Sequence, residues 1–243
     1  MNELSLFSGA GGSLLATKHL LKWRTVGYVE FNKYCQQVLA QRIKEEFLDE
    51  APIFGDINGF IESGAVDEYR GVAEVVSGGF PCQPFSVAGG GAGEDDPRNM
   101  WPQTIEVIRR VRPRFAFLEN VPGLFSHEYI GRIFGDLAEA GYDAKWTVLG
   151  ADDVGAPHRR KRVWILAYPN GPQRTRGGVS GRIQEELSHP GGASWWEVEP
   201  NVGRVANGVA SWMDRLRATG NGQVPRVAAT AWELLSGQEL EEV

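Results

Sequence analysis

The chain has 243 residues, 42% of them hydrophobic and 23% charged, with a formal net charge of −6 at pH 7. This length suits one large α/β domain, alone or with a small insertion, and buries enough surface to need no covalent staple. Two cysteines, Cys35 and Cys82, exclude a disulfide framework and a zinc cluster, four scattered histidines show no metal-ligand spacing, and the negative balance confines any polyanion site to a local patch.

The elements alternate along the chain. LSLFSG (Leu4–Gly9) reads as a strand ending in small residues, and SLLATKHLLKW (Ser13–Trp23) carries apolar residues at helical spacing. TVGYVEF (Thr25–Phe31) is a strand, and Asn32–Phe47 is a helix with Asn32 as its N-cap. Ala51–Ile57 and Val72–Phe80 are strands, Trp101–Val111 a helix, Arg114–Asn120 a strand and Tyr129–Gly141 a helix. Two further strands, YDAKWTVLG (Tyr142–Gly150) and RVWILAY (Arg162–Tyr168), precede a last helix at Val224–Leu235. Strands alternating with helices predict an α/β, Rossmann-like, mostly parallel sheet with helices on both faces. After Pro169 the composition shifts to Gly, Arg, Ser and Pro with weak periodicity. Residues 170–218 are therefore expected to form a small irregular lobe, and 1–169 with 219–243 the main domain. The start, MNELSLF, lacks a basic region followed by a long apolar stretch, so no signal peptide is expected. No apolar run of about 18 residues predicts a membrane span. A cytoplasmic protein is expected.

Ligands of open α/β sheets bind outside the carboxyl ends of the strands. The first strand is followed by Phe7, Ser8, Gly9, Ala10, Gly11 and Gly12, the second ends at Glu30 and Phe31, and the third at Asp56 and Ile57. The fourth runs through Gly78, Gly79 and Phe80 into Pro81 and Cys82, and the fifth ends at Glu119 and Asn120. Parallel strands bring all of these to one sheet edge. The glycines allow a tight turn and close backbone approach to a ligand, yet match neither the dinucleotide pattern nor the P-loop. Glu30 is placed to accept from ribose hydroxyls and Asp56 from an amino group. Glu119 leaves a buried strand, where desolvation raises a carboxyl's pKa and makes it a usable proton donor. Cys35, on a helix beside Tyr34 and Val38, is expected to be buried.

FSGAGG, GGFPCQPFS, ENV and APHRRKRVWILA, in this order, resemble the cytosine-5 DNA methyltransferase family, with GNGQVP (Gly220–Pro225) similar to its final motif. The resemblance covers roughly residues 4–168 and 214–236. It implies the class I methyltransferase fold, S-adenosylmethionine as cofactor with S-adenosylhomocysteine as product, and methyl transfer to C5 of a flipped-out cytosine in double-stranded DNA. It implies Cys82 as the nucleophile at C6, Glu119 at N3 and the exocyclic amine, Asn120 as a buttress of the Pro81–Cys82 loop, and Arg160 and Arg162 on the base and nearby backbone. Phe7, Ser8, Gly9, Ala10, Gly11, Gly12, Glu30, Phe31, Asp56, Ile57, Gly79, Pro81 and Asn221 would line the cofactor site. Gln83, Ser86, Arg98, Arg174, Arg176 and Arg204 would contact DNA. A monomer of prokaryotic or phage origin, such as a restriction-modification methyltransferase, is expected.

The chemistry suits these residue types independently. Cytosine C5 is a poor nucleophile until something adds at C6, and a thiolate can add and then leave. The base is out of reach inside a duplex, so it must be extruded. Two departures stand out: His158 where the arginine motif usually begins with glutamine, and a short region between that motif and the last. Two alternatives remain open: a tRNA cytosine-5 methyltransferase, although its Cys-Phe-Thr signature is absent, and a cofactor-binding module that needs a partner for DNA recognition.

Overall fold

The computed structural model describes residues 1–81, 99–126, 129–170 and 222–237. Its seven-stranded sheet has the order β3-β2-β1-β4-β5-β7-β6. The strands are β1 (Asn2–Leu6), β2 (Arg24–Val29), β3 (Ile53–Phe54), β4 (Val75–Gly79), β5 (Phe115–Asn120), β6 (Tyr142–Leu149) and β7 (Arg162–Pro169). The first five in chain order run parallel, while β7 is antiparallel to both β5 and β6. The expected mostly parallel sheet is present, and the two strands nearest the antiparallel edge form a hairpin.

The core follows from the two-residue period of strands buried on both faces. On one face Leu4, Leu6, Val76, Leu118 and Ile165 pack against α3 (Ile57–Glu62), α4 (Trp101–Val111) and α5 (Tyr129–Glu139). In α4 the buried residues Trp101, Ile105 and Ile108 recur at helical spacing, which seats this helix on the sheet. On the other face Val75, Phe117, Trp164 and Leu166 meet the last described helix, α6 (Pro225–Ser236), through Trp232 and Val227. Trp23 and Trp232 meet edge to face with centroids 4.6 Å apart, so the returning C-terminal segment is locked to the sheet by aromatic packing.

Two expected elements differ in detail. The Ser13–Trp23 helix is a short α1 (Gly12–Leu15) that widens into a π-turn at Ala16–Leu20, marked by Leu21 N donating to Ala16 O at 2.9 Å. The third strand is shorter than Ala51–Ile57, because the Asp56 carboxylate accepts from Gly59 N at 3.1 Å and starts α3 instead. The second helix, α2 (Lys33–Lys44), starts as expected: Asn32 Oδ1 accepts from Tyr34 N and Cys35 N. Cys35 is 7% exposed, as expected.

Beneath the glycine turn lies a buried polar cluster. Glu3, wholly buried in β1, accepts from Thr17 Oγ1 at 2.7 Å and Thr25 Oγ1 at 3.1 Å on one carboxyl oxygen, and from Ser77 Oγ on the other. These hydroxyls come from the π-turn, β2 and β4, so one carboxyl ties β1 to both neighbouring strands and to the helical segment behind the glycine turn. Burial pushes its pKa up, the three hydroxyl donors pull it down, and the charge of Asp49 adds to the rise.

Candidate active site

The carboxyl ends of β1, β2, β4 and β5 do converge on one edge, and the glycine turn opens there. Phe7 at the end of β1 adopts φ +52°, a left-handed conformation that non-glycine residues rarely take outside constrained sites. Gly9 follows at φ +57°, with nothing within 4 Å of where a Cβ would stand, so the turn faces open space. Its N–H donates to Glu30 Oε2 at 2.7 Å, while Asn32 N donates to Glu30 Oε1 at 2.7 Å. The acidic end of β2 is thus fixed against the glycine turn with both oxygens engaged. Ser8 turns inward and donates to Ser5 O at 3.0 Å. Phe31, beside Glu30, is 79% exposed, a large apolar ring left uncovered next to the turn. Asp56 caps α3, and Ile57 is buried in the core beneath it.

Glu119 stands at the end of β5, across from Gly79 on one side and Trp164 on the other. Its side chain is 13% exposed, and Arg162 Nε lies 2.8 Å from Oε1. Burial pushes its pKa up; Arg162, Gln223 and Arg160 oppose that rise without cancelling it. A carboxyl whose pKa is raised by burial is suited to donating a proton. The next residue, Asn120, is 3% exposed and donates from Nδ2 to Phe80 O at 3.2 Å, holding the chain two residues before Cys82. Arg160 adopts φ +28° and its guanidinium donates to Gly222 O, joining the arginine motif to the returning C-terminal segment.

A cavity of about 1110 Å³ opens beside this group, with Gly11, Gly12, Tyr34, His158, Arg160 and Gln223 in its wall. The glycine turn, the arginine motif and the last segment therefore share one concave surface, as ligand sites on α/β sheets do. Cys82, Gln83, Ser86, Arg98, Arg174, Arg176, Arg204 and Asn221 lie outside the described residues. One residue that sequence reasoning passed over belongs here: Gln223 Nε2 lies 3.4 Å from Glu119 Oε2. The motif GNGQVP was the available signal, but it does not say which of its residues reaches a strand 104 positions away.

A family model described as C-5 cytosine-specific DNA methylase matches residues 1–202. The chain belongs to this family. Among curated relatives, the type II methyltransferase M.NgoBI of Neisseria gonorrhoeae is 35% identical over 170 residues, covering 68% of this chain and 50% of its own length. The orphan methyltransferase M.SPRI of Bacillus phage SPR is 31% identical over 172 residues, covering 68% of this chain and 37% of its own. The chain thus spans half or less of the length of these family members. Among solved structures, a mutant DNMT2 of Spodoptera frugiperda superposes with a TM-score of 0.56 at 23% identity, covering 71% of this chain and 51% of that one. A prophage-encoded DNA modification methyltransferase from E. coli gives 0.55 at 24% identity, covering 70% and 47%. These neighbours share the class I methyltransferase fold.

Proposed function

We propose that this chain is a DNA cytosine-5 methyltransferase that uses S-adenosylmethionine, and that Glu119 is its proton donor to cytosine N3. The observation that carries the reading is Glu119 itself: a mostly buried carboxyl with raised pKa, held by Arg162 at 2.8 Å, one strand from the chain that leads into Cys82.

The residues present fit the cofactor. The glycine turn faces open space at Gly9, Glu30 is fixed beside it to accept from ribose hydroxyls, and Phe31 offers an uncovered ring at the same edge. Phe7, Ala10, Gly11, Gly12, Asp56, Ile57, Gly79, Pro81 and Asn221 complete the proposed lining. When bound, S-adenosylmethionine supplies the methyl group that C5 accepts.

The remaining chemistry belongs to this chain. The Cys82 thiolate forms a bond to C6 while Glu119 gives its proton to N3, so the electron pair pushed toward C5 is not opposed by charge on the ring. Arg162 keeps the Glu119 carboxyl oriented and stabilises the carboxylate left after proton donation. Asn120 fixes the backbone at Phe80, two residues before Cys82 in the sequence. Loss of the C5 proton and of Cys82, with the N3 proton returned to Glu119, restores the aromatic ring. Arg160, with Gln83, Ser86, Arg98, Arg174, Arg176 and Arg204, is assigned to the base and the phosphates. Residues 170–218 are assigned to target recognition on composition and on their position between the arginine motif and the last motif. The relatives come from bacteria and a bacteriophage, which supports a cytoplasmic setting.

The test is covalent trapping. Purified protein, S-adenosylmethionine and duplex DNA carrying 5-fluorocytosine should give an adduct that survives denaturation, and Cys82→Ser should abolish it. An adduct with tRNA but not DNA would replace the DNA reading. Cofactor binding without any adduct would favour a module that depends on a partner.

A further inference from the structure

Gln223 enters the site on the returning C-terminal segment, far in sequence from everything it touches. Its backbone N and O stand 3.1 Å from where a Cβ on Gly12 would be, and its side-chain Nε2 stands 3.0 Å from where a Cβ on Gly79 would be. A Cβ at Gly79 would also stand 2.6 Å from Glu119 Oε2. Gln223 is thus threaded between the glycine turn and the β4 backbone, against the oxygen of Glu119 that Arg162 does not hold. Its neighbour Gly222 is anchored by Arg160. A side chain at Gly12 would press on the Gln223 backbone and one at Gly79 on its carboxamide, so the two glycines leave room for this residue.

The two oxygens of Glu119 are not equivalent. Oε1 accepts a charge-assisted bond from Arg162 at 2.8 Å, which disfavours a proton there. The proton of the acid form is therefore left to Oε2, which faces Gln223 at a longer 3.4 Å. We propose that Gln223 is a positioning residue for Glu119, holding the proton-bearing oxygen toward the incoming base with a contact loose enough to yield when cytosine N3 arrives. This rests on the reading of Glu119 as the proton donor. The charged groups facing Glu119 among the described residues are Arg162 and Arg160, and both are retained in the variants below.

The test uses the full chain with duplex DNA carrying 5-fluorocytosine, reading adduct-formation rate against pH in wild type, Gln223→Leu and Gln223→Glu. Proton donation by Glu119 fails as pH rises through its pKa, giving the alkaline limb of the profile. Leucine removes the N–H that stabilises the carboxylate, so that limb should move to higher pH while the plateau falls about tenfold, the loss expected for one hydrogen bond to an ionisable group. Gln223→Glu should keep near-wild-type rates only on the acid side, where its own carboxyl is neutral and can still donate. A limb unmoved in Gln223→Leu, with only the plateau or the cofactor KM changed, would overturn the proposal and leave Gln223 a packing residue. A second readout needs neither DNA nor turnover: the carboxyl 13C shift of Glu119, assigned with Glu119→Gln, should titrate at higher pH in Gln223→Leu than in wild type. Coincident titrations would also overturn the proposal. No adduct in wild type, with that titration still displaced, would sink the cytosine reading and leave the Gln223–Glu119 coupling standing.

Discussion

Glu3 and Glu119 project from the same face of the sheet and both contact β4, yet they are opposite kinds of buried carboxyl. Glu3 meets Ser77, and Glu119 meets Gly79, two residues further along the same strand. Glu3 is wholly buried and its hydrogen-bond partners are neutral hydroxyls from three elements. Glu119 is partly open, lies at a strand end and faces a guanidinium. Burial raises the pKa of both. A raised pKa alone therefore does not mark a catalytic group. Access to the sheet edge and a cation beside the carboxylate are what set Glu119 apart from Glu3.

Removing each carboxyl separates the two roles. The largest effect belongs to Glu119→Gln, which keeps shape and a hydrogen-bond acceptor for Arg162 but has no proton to donate. Adduct formation and methyl transfer should fall by about 10²–10⁴-fold, the usual contribution of general acid catalysis, with no loss of melting temperature. A variant that melts earlier and turns over normally would reverse the comparison. Glu3→Leu should behave the other way. It leaves the hydroxyls of Thr17, Thr25 and Ser77 without their acceptor and should cost about 2–4 kcal/mol of stability, read as a lower urea midpoint. Glu3→Gln retains an acceptor, and the hydroxyls can rotate to suit it, so its loss should be under about 1.5 kcal/mol.

Glu30 tests what lies between the two. It is 8% exposed like a structural group, yet stands at the edge like a functional one. Both of its oxygens accept backbone N–H bonds, so Glu30→Gln must turn an amide N–H toward one of them. Cofactor affinity measured by calorimetry should fall about tenfold, with a stability loss of about 1–2 kcal/mol. Unchanged affinity would place Glu30 with Glu3 as a purely structural carboxyl.

The same contrast explains what the sequence could reveal. Alternating apolar runs made most strands, the helices on both faces and the N-cap at Asn32 legible, because local pattern and turn chemistry decide them. Glu119 was legible as well: it follows FAFL and begins ENV, so position and motif agree. Glu3 was not. A glutamate between Asn2 and Leu4 looks like the solvated start of a strand, and its partners lie 14, 22 and 74 residues away. The π-turn at Ala16–Leu20 escaped for a related reason, since its apolar residues fit an ordinary helix and only the register of Leu21 against Ala16 distinguishes it. Gln223 was hidden by the same separation: its role is set by what the folded sheet brings beside it.

The smallest expected effect is on the pH dependence of stability, and it follows from the sign of the two shifts. A carboxyl whose native pKa is raised still holds its proton where the unfolded chain, titrating at about 4.3, has released it. The unfolded state then binds fewer protons than the native one, so unfolding free energy falls as pH rises across that interval. The contribution is fully present below about 4.3 and is lost as pH climbs through the native value. Glu3 and Glu119 act in the same direction, but Arg162 opposes the shift of Glu119 and no cation does so for Glu3 among the causes that move it. Urea midpoints followed from pH 4 to pH 8 should therefore decline in wild type, and decline less in Glu119→Gln and in Glu3→Gln. The exposed carboxylates Glu45, held low by Gln41 and Arg42, and Asp67, held low by Arg110, contribute the opposite slope equally to all three proteins and drop out of the difference. A wild-type slope retained in Glu3→Gln would mean that Glu3 ionises alike in both states, and that its three hydroxyl donors offset its burial completely.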